Sequence, residues 1–172
     1  MELPQEPSFH LEPGYICCAR RQVTIHTVVG SSVCVCIWDR NLKYGAMNHF
    51  IQPIMTDPKR STPVYGNVAT TELIRMMREL GSEPGNLSAQ ILGGAAPRRH
   101  PNASLGARNV AVAHRVLERK GITIASQDTG GFMGRKVVFD TNSGHVMTLK
   151  VHTIREDDWM LEEGPHGGID DS

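Results

Sequence analysis

The stretch Thr27-Val-Val-Gly-Ser-Ser-Val-Cys-Val-Cys-Ile-Trp-Asp39 reads as two strands joined at a glycine turn, and Tyr44-Gly-Ala-Met-Asn-His-Phe50 follows as the next strand. β-Branched and apolar residues dominate on both sides of Gly30, which is free to take a sharp reversal that other residues resist. Residues 33–38 are apolar at every position. A strand covered on both faces has that pattern, so this one is expected at the centre of a sheet. Asp39-Arg40-Asn41 supplies the turn after it, and the strand over residues 44–51 stops ahead of Pro53.

On the N-terminal side, residues 15–18 and 23–29 are read as strands separated by Arg20-Arg21-Gln22. On the C-terminal side, residues 54–64 carry Pro58 and Pro63 without periodicity and form a surface loop. Ala69, Leu73, Met76, Met77 and Leu80 then fall on one helical face, with Thr70 or Thr71 as the cap and Gly81 as the stop. Residues 89–96 make a strand that runs into Gly93-Gly94, a pair that lets backbone pass close to another segment. No Lys-Ser/Thr follows, as a phosphate-cradling loop would require.

Asn109 is placed to cap a second helix with Val110, Ala113, Val116 and Leu117 inward, ending at Lys120-Gly121. Residues 122–126 form a strand ahead of Asp128-Thr-Gly-Gly-Phe-Met-Gly-Arg135. Residues 137–140 and 145–151 make a hairpin around Thr141-Asn-Ser-Gly144, with Met147, Leu149 and Val151 expected inward. This order predicts a mixed α+β member of the α/β class: one layered domain with a central mixed sheet and two main helices. Residues 1–13 are expected as a flexible arm, 14–156 as the folded domain, and 157–172 as an acidic, glycine-rich, unstructured tail.

A chain of 172 residues buries an ample core as one domain. The 18 basic and 18 acidic residues balance, so no global field favours nucleic acid, and Arg98-Arg99-His100 reads as a solvated loop. The apolar run at 33–38 is far short of the roughly 20 residues a membrane helix needs, so no membrane insertion is expected. Met1-Glu-Leu-Pro-Gln-Glu-Pro7 lacks the basic start and apolar run of a secretion signal, and the cytoplasm is the expected compartment. Cys17-Cys18 and Cys34-x-Cys36 match neither a secreted disulfide framework nor zinc-knuckle spacing, and are read as buried or idle thiols.

Ser31 and Ser32 place hydroxyls at the glycine turn, and His49 lies one element later. If residues 33–38 and 44–51 pair antiparallel, the intervening turn folds His49 back towards Ser32. A serine needs such a base within about 2.6 to 3.2 Å. Backbone N–H groups after Gly30 would then serve a developing oxyanion. His26 lies six residues before Ser32, so an unbroken strand would place both on one side. His114 on a helix and His152 after a strand are read as partly buried or surface residues.

Taken with Tyr65-Gly66, Gly93-Gly94-Ala95, Gly106-Ala-Arg-Asn109 and Asp128-x-Gly-Gly-x-x-Gly-Arg135, the opening stretch resembles the signature of the chemoreceptor glutamine deamidases, CheD, of bacterial chemotaxis. The resemblance runs over residues 14–151. It implies a fold shared with certain deamidating toxins and hydrolysis of glutamine side chains on the cytoplasmic helices of methyl-accepting chemoreceptors. It implies no metal or organic cofactor, and a CheC-type phosphatase as a second partner. Family members use a cysteine nucleophile, a histidine base and an upstream threonine. Carried over, His49 is the base, Ser32 occupies the nucleophile position, and the third group is Thr27 or the adjacent His26. The family reads Gly-Ser-Cys-Val where this chain reads Gly30-Ser31-Ser32-Val33. Two explanations stand for the hydroxyl: an engineered Cys-to-Ser replacement, or a native serine in a variant that binds receptor without processing it. A non-catalytic chemotaxis adaptor, docking on receptors or on the phosphatase, is the alternative function, and a serine hydrolase of small amides or esters is the third.

Overall fold

The computed structural model describes residues 7–96 and 103–152. The tail at 157–172, positions 1–6 of the arm and Arg98-Arg99-His100 lie outside the described residues.

The chain runs β1 (Ser8–His10), β2 (Ile16–Ala19), β3 (Thr24–Val29), β4 (Val33–Asp39), β5 (Tyr44–Phe50), α1 (Gly66–Glu79), β6 (Leu87–Gly93), α2 (Leu105–Arg119), β7 (Thr123–Thr129), β8 (Gly134–Asp140) and β9 (Val146–Val151). The mixed α+β class holds. The strands form two sheets, one of five in the order β2-β5-β4-β6-β7 and one of four in the order β1-β3-β8-β9. Both are mixed, since β6 and β7 pair parallel in the first and β1 and β3 in the second.

Strand β4 is central and apolar on both faces, as its sequence predicts, and its alternation explains the layering. Val33, Val35 and Ile37 point to one side, where Ala69, Leu73 and Met77 of α1 and Ala113 and Leu117 of α2 complete a core. Cys34 and Cys36 point to the other side, against Ile25 and Val29 of β3 and Val137 and Phe139 of β8. The molecule is therefore a stack of helices, five-stranded sheet and four-stranded sheet, with β4 and β5 contributing side chains to both cores.

Both helices end at glycines in the left-handed region, Gly81 (φ 103°) and Gly121 (φ 69°), where Ser82 N–H returns to Met77 O and Ile122 N–H to Leu117 O. The helix starts differ from expectation. Helix α1 begins at Gly66, pressed against the Phe50 ring where a Cβ would come within 2.5 Å of Cε2, so Thr70 lies inside the helix and accepts from Asn48 Nδ2. Helix α2 begins at Leu105, so Asn109 is a full turn inside it and buried, not a cap. Its buried face is Leu105, Gly106, Asn109, Val112, Ala113 and Leu117, with Val110 and Val116 at the margin.

Two further expectations are corrected. The flexible arm does not extend over residues 8–11, because β1 pairs parallel with β3 and Leu11 is completely buried in the core between the sheets. The hairpin around Thr141-Asn-Ser-Gly144 forms, but Met147 and Leu149 are 66% and 65% exposed. They stand opposite Val138 and Lys136, on the outer face of the four-stranded sheet, while Val137 and Phe139 hold the inner one.

Candidate active site

The turn Gly30-Ser31-Ser32 carries the chain from β3 in one sheet to β4 in the other. Every carbonyl of that turn is bonded. Gly30 O accepts from Ala95 N–H at 2.8 Å, Ser31 O from Asn109 Nδ2 at 3.0 Å, and Ser32 O from Gly94 N–H at 2.9 Å. Gly93 sits so close that a Cβ there would stand 2.3 Å from Ser32 O, and its φ of 114° also favours glycine. The close approach expected of Gly93-Gly94 is therefore the packing of that pair against the serine turn.

His49 lies opposite Cys34 in the β4–β5 ladder, so its ring faces the layer between the sheets and not the helices. Its backbone is fixed to the segment entering β2: His49 N–H donates to Tyr15 O at 3.2 Å, and Gly14 N–H donates to His49 O at 2.8 Å. The side chain reaches Ser32, with Nε2 2.8 Å from Oγ. Its other nitrogen, Nδ1, is 2.8 Å from Thr27 Oγ1.

Leu11 decides the tautomer. The Thr27 hydroxyl has one proton, and it donates that proton to Leu11 O at 2.8 Å. Thr27 Oγ1 can then only accept from His49, so the proton of the neutral ring sits on Nδ1. Nε2 is left with a lone pair aimed at Ser32 Oγ–H. Burial strips the ring of solvent and lowers its pKa to about 3, so His49 is neutral across the physiological range. Ser32, His49 and Thr27 thus form one chain of hydrogen bonds anchored on a main-chain carbonyl.

The other candidates stand elsewhere. Alternation along β3 turns His26 to the face opposite Thr27, where its ring meets His10 edge-on at 6.2 Å between centroids. Desolvation and then the neighbouring His10 charge lower the His26 pKa. His26 is therefore not on the Ser32 side. His114 bonds Gln127 Oε1 at the helix surface, and His152 is exposed. All four cysteines are free thiols. Burial pushes Cys18 up to about 11 and holds Cys36 well above the ordinary thiol range. Cys34 is near His49 in register yet has no exposed surface for a substrate to reach. Among the described residues no group of three or more His, Cys, Asp or Glu side chains is placed to hold a metal.

Sequence reasoning missed three contributors. Leu11 lies on a segment too short to register as a strand. Asn109 carries a polar signal in the sequence, but its side chain bonds the serine turn instead of capping the helix. Arg135, fully inside the fold, donates to Gly130 O at 2.9 Å and pairs with Asp128 at 3.1 Å, fastening the Gly130-Gly131-Phe132-Met133 loop. Burial works to raise Asp128, but its bonds to Arg135 outweigh that and hold the carboxyl below its usual range. The same loop returns to the serine turn, for Gly130 N–H donates to Gly93 O and Ala96 N–H to Gly131 O.

The chain is similar to proteins of bacterial chemotaxis. The family model described as "CheD chemotactic sensory transduction" matches residues 52–150, a stretch that begins just after His49. A protein of Sulfurimonas denitrificans named "Probable chemoreceptor glutamine deamidase CheD" is 37% identical over 133 residues, covering 75% of this chain and 85% of its own. Proteins of the same name from Trichlorobacter lovleyi and Rhodospirillum rubrum are 34% and 36% identical, covering 81% and 86% of this chain and 88% and 84% of theirs. With a family match over more than half its length and relatives more than 30% identical over three quarters or more of it, the chain belongs to the CheD family.

Proposed function

We propose that the protein is a protein-glutamine deamidase acting on chemoreceptors, with Ser32 as the attacking group, His49 as the base and Thr27 as the residue that orients it. The observation that carries this reading is the 2.8 Å contact between His49 Nε2 and Ser32 Oγ, with Nδ1 held by Thr27. In the first step Nε2 takes the Ser32 proton as Oγ bonds to the carboxamide carbon. The carbonyl electron pair moves onto oxygen, and the Ser32 backbone N–H is the donor proposed for it. Collapse breaks the C–N bond, and Nε2–H gives its proton to the leaving nitrogen, releasing ammonia and an ester on Ser32. Water then gives a proton to Nε2 and attacks the ester. Glutamate leaves, and Ser32 recovers its proton. The reaction so written uses groups of the protein and water alone. Because the Leu11 carbonyl holds Thr27, the working unit takes in the segment that follows the N-terminal strand; on this reading the substrate is a cytoplasmic receptor helix and the reaction belongs to the cytoplasm.

Serine makes this a slow version of the chemistry. A thiol ionises near pH 8.5, whereas a hydroxyl yields its proton only with great difficulty. The low basicity of the buried His49 compounds the problem. That same hydroxyl favours a second reading, a receptor-binding adaptor that regulates by occupancy, with a CheC-type phosphatase as a competing partner. The test is to incubate a receptor cytoplasmic fragment with the protein as it stands and with Ser32→Cys, then to read glutamine-to-glutamate conversion by peptide mass. Conversion by the thiol form supports the deamidase. Receptor binding with no conversion by either form supports the adaptor.

A further inference from the structure

The geometry points to Asn109 as a positioning residue that holds the Ser32 turn in register with the His49 strand; this rests on reading Ser32 and His49 as the reacting pair. Asn109 is completely buried on the inner face of α2. Its Nδ2 has two protons, and both are used: one goes to Ser31 O at 3.0 Å and the other to Ile51 O at 2.8 Å. Ser31 directly precedes the nucleophile position, and Ile51 lies two residues beyond the base. A single amide group therefore bridges the two segments whose side chains must meet.

The bridge stands where the sheet stops helping. The ladder between β4 and β5 ends at the pair Val33 and Phe50, so Ser31, Ser32 and Ile51 all lie past its last rung. Without Asn109 the two chains have no shared bond from the ladder at that level. The neighbouring glycines make room for this arrangement, since a Cβ on Gly106 would stand 2.4 Å from Gly94 O and push α2 away from the turn.

A second consequence follows from the planar trans peptide, in which C=O and N–H point in opposite directions. Fixing Ser31 O towards α2 turns the Ser32 N–H of the same peptide away from α2. Gly94 and Ala95 pull on the two adjacent carbonyls from the strand side of the same junction. Asn109 thus governs both the approach of Oγ to His49 and the direction of the amide donor meant for the oxyanion. Packing alone does not account for the residue. Its Oδ1 is buried without a hydrogen-bond partner among the described residues, a cost that leucine in the same space would avoid. Leucine, however, would supply no donors.

The experiment uses the full chain carrying Ser32→Cys, in which the introduced thiol reports on the pair without any receptor. Its alkylation by iodoacetamide is followed against pH, with the modified peptide identified by mass, and receptor deamidation is measured in parallel. Asn109→Ala is expected to shift the thiol's alkylation profile towards that of an ordinary cysteine. It should lower kcat by about ten- to a hundredfold, with KM nearly unchanged. Asn109→Asp, similar in shape but lacking the two donors, should do the same. Val112→Ala removes packing from the same buried helix face and should leave profile and kcat in place, which separates positioning from loss of stability. An unchanged profile and kcat in both Asn109 variants would overturn the proposal. If the thiol instead titrates as an ordinary cysteine before Asn109 is touched, and His49→Ala does not alter it, the reacting pair itself is wrong and the proposal falls with it.

Discussion

Thr27 and His49, from strands in different sheets, meet at 2.8 Å across the inter-sheet core, and the single hydroxyl proton of Thr27 is committed to the Leu11 carbonyl. This makes the threonine an acceptor towards the ring and leaves Nε2 as the basic nitrogen. Thr27→Val keeps the shape but removes the acceptor, leaving a buried N–H unpaired at a cost of about 1–3 kcal/mol. The expected outcome is a similar fall in unfolding free energy and a loss of about tenfold or more in deamidation by the Ser32→Cys form. Thr27→Ser, which restores the hydroxyl, should recover most of both. Urea unfolding and initial-rate measurements check the pair.

The buried ring also makes stability depend on pH. In the unfolded chain His49 takes a proton near its ordinary pKa of 6.5, while in the folded protein it resists protonation down to about 3. Below pH 6.5 the unfolded state therefore binds the extra proton. The contribution of His49 is fully present above that pH and is lost as pH falls towards 3, at about 1.4 kcal/mol per pH unit. Replacing it by glutamine should flatten this part of the curve, which denaturant titrations between pH 7 and 4 would show.

Gly93→Ala tests the seating of the serine turn. The added methyl group meets the Ser32 carbonyl oxygen at 2.3 Å, and the backbone is held at φ 114°. Left-handed backbone on a non-glycine residue costs on the order of 1–3 kcal/mol before the clash is counted. A lowered melting temperature together with loss of thiol activation in the Ser32→Cys form is expected. Gly85→Ala, where a Cβ meets nothing within 4 Å, is the matched control and should leave both unchanged.

The parts of the site that are legible in the sequence are those set by local rules. A glycine turn between β-branched runs, then a short turn held by Asp39, brings Ser32 and His49 to the same end of neighbouring strands. The structure adds the bonds from Asn41 and Leu42 N–H to Asp39 Oδ1 that close the turn. What alternation cannot give is which side of a strand faces which partner. Met147 and Leu149 alternate as expected, yet β9 is an edge strand and they occupy its outer face. Thr27 and His26 are indistinguishable in pattern until the second sheet is known, and only then does one of them meet His49. Leu11 and Asn109 act through backbone carbonyls far away in sequence, and no periodicity records such bonds.

The most direct measurement is the nitrogen NMR spectrum of the His49 ring, recorded on the full chain as pH is lowered from 7 to 4. The expected result is a neutral ring protonated at Nδ1 and bare at Nε2 throughout that range, with Thr27→Val disturbing the Nδ1 signal. A ring protonated at Nε2, or one that becomes imidazolium near pH 6, would contradict the claim that Thr27 and Leu11 hold His49 as a base facing Ser32.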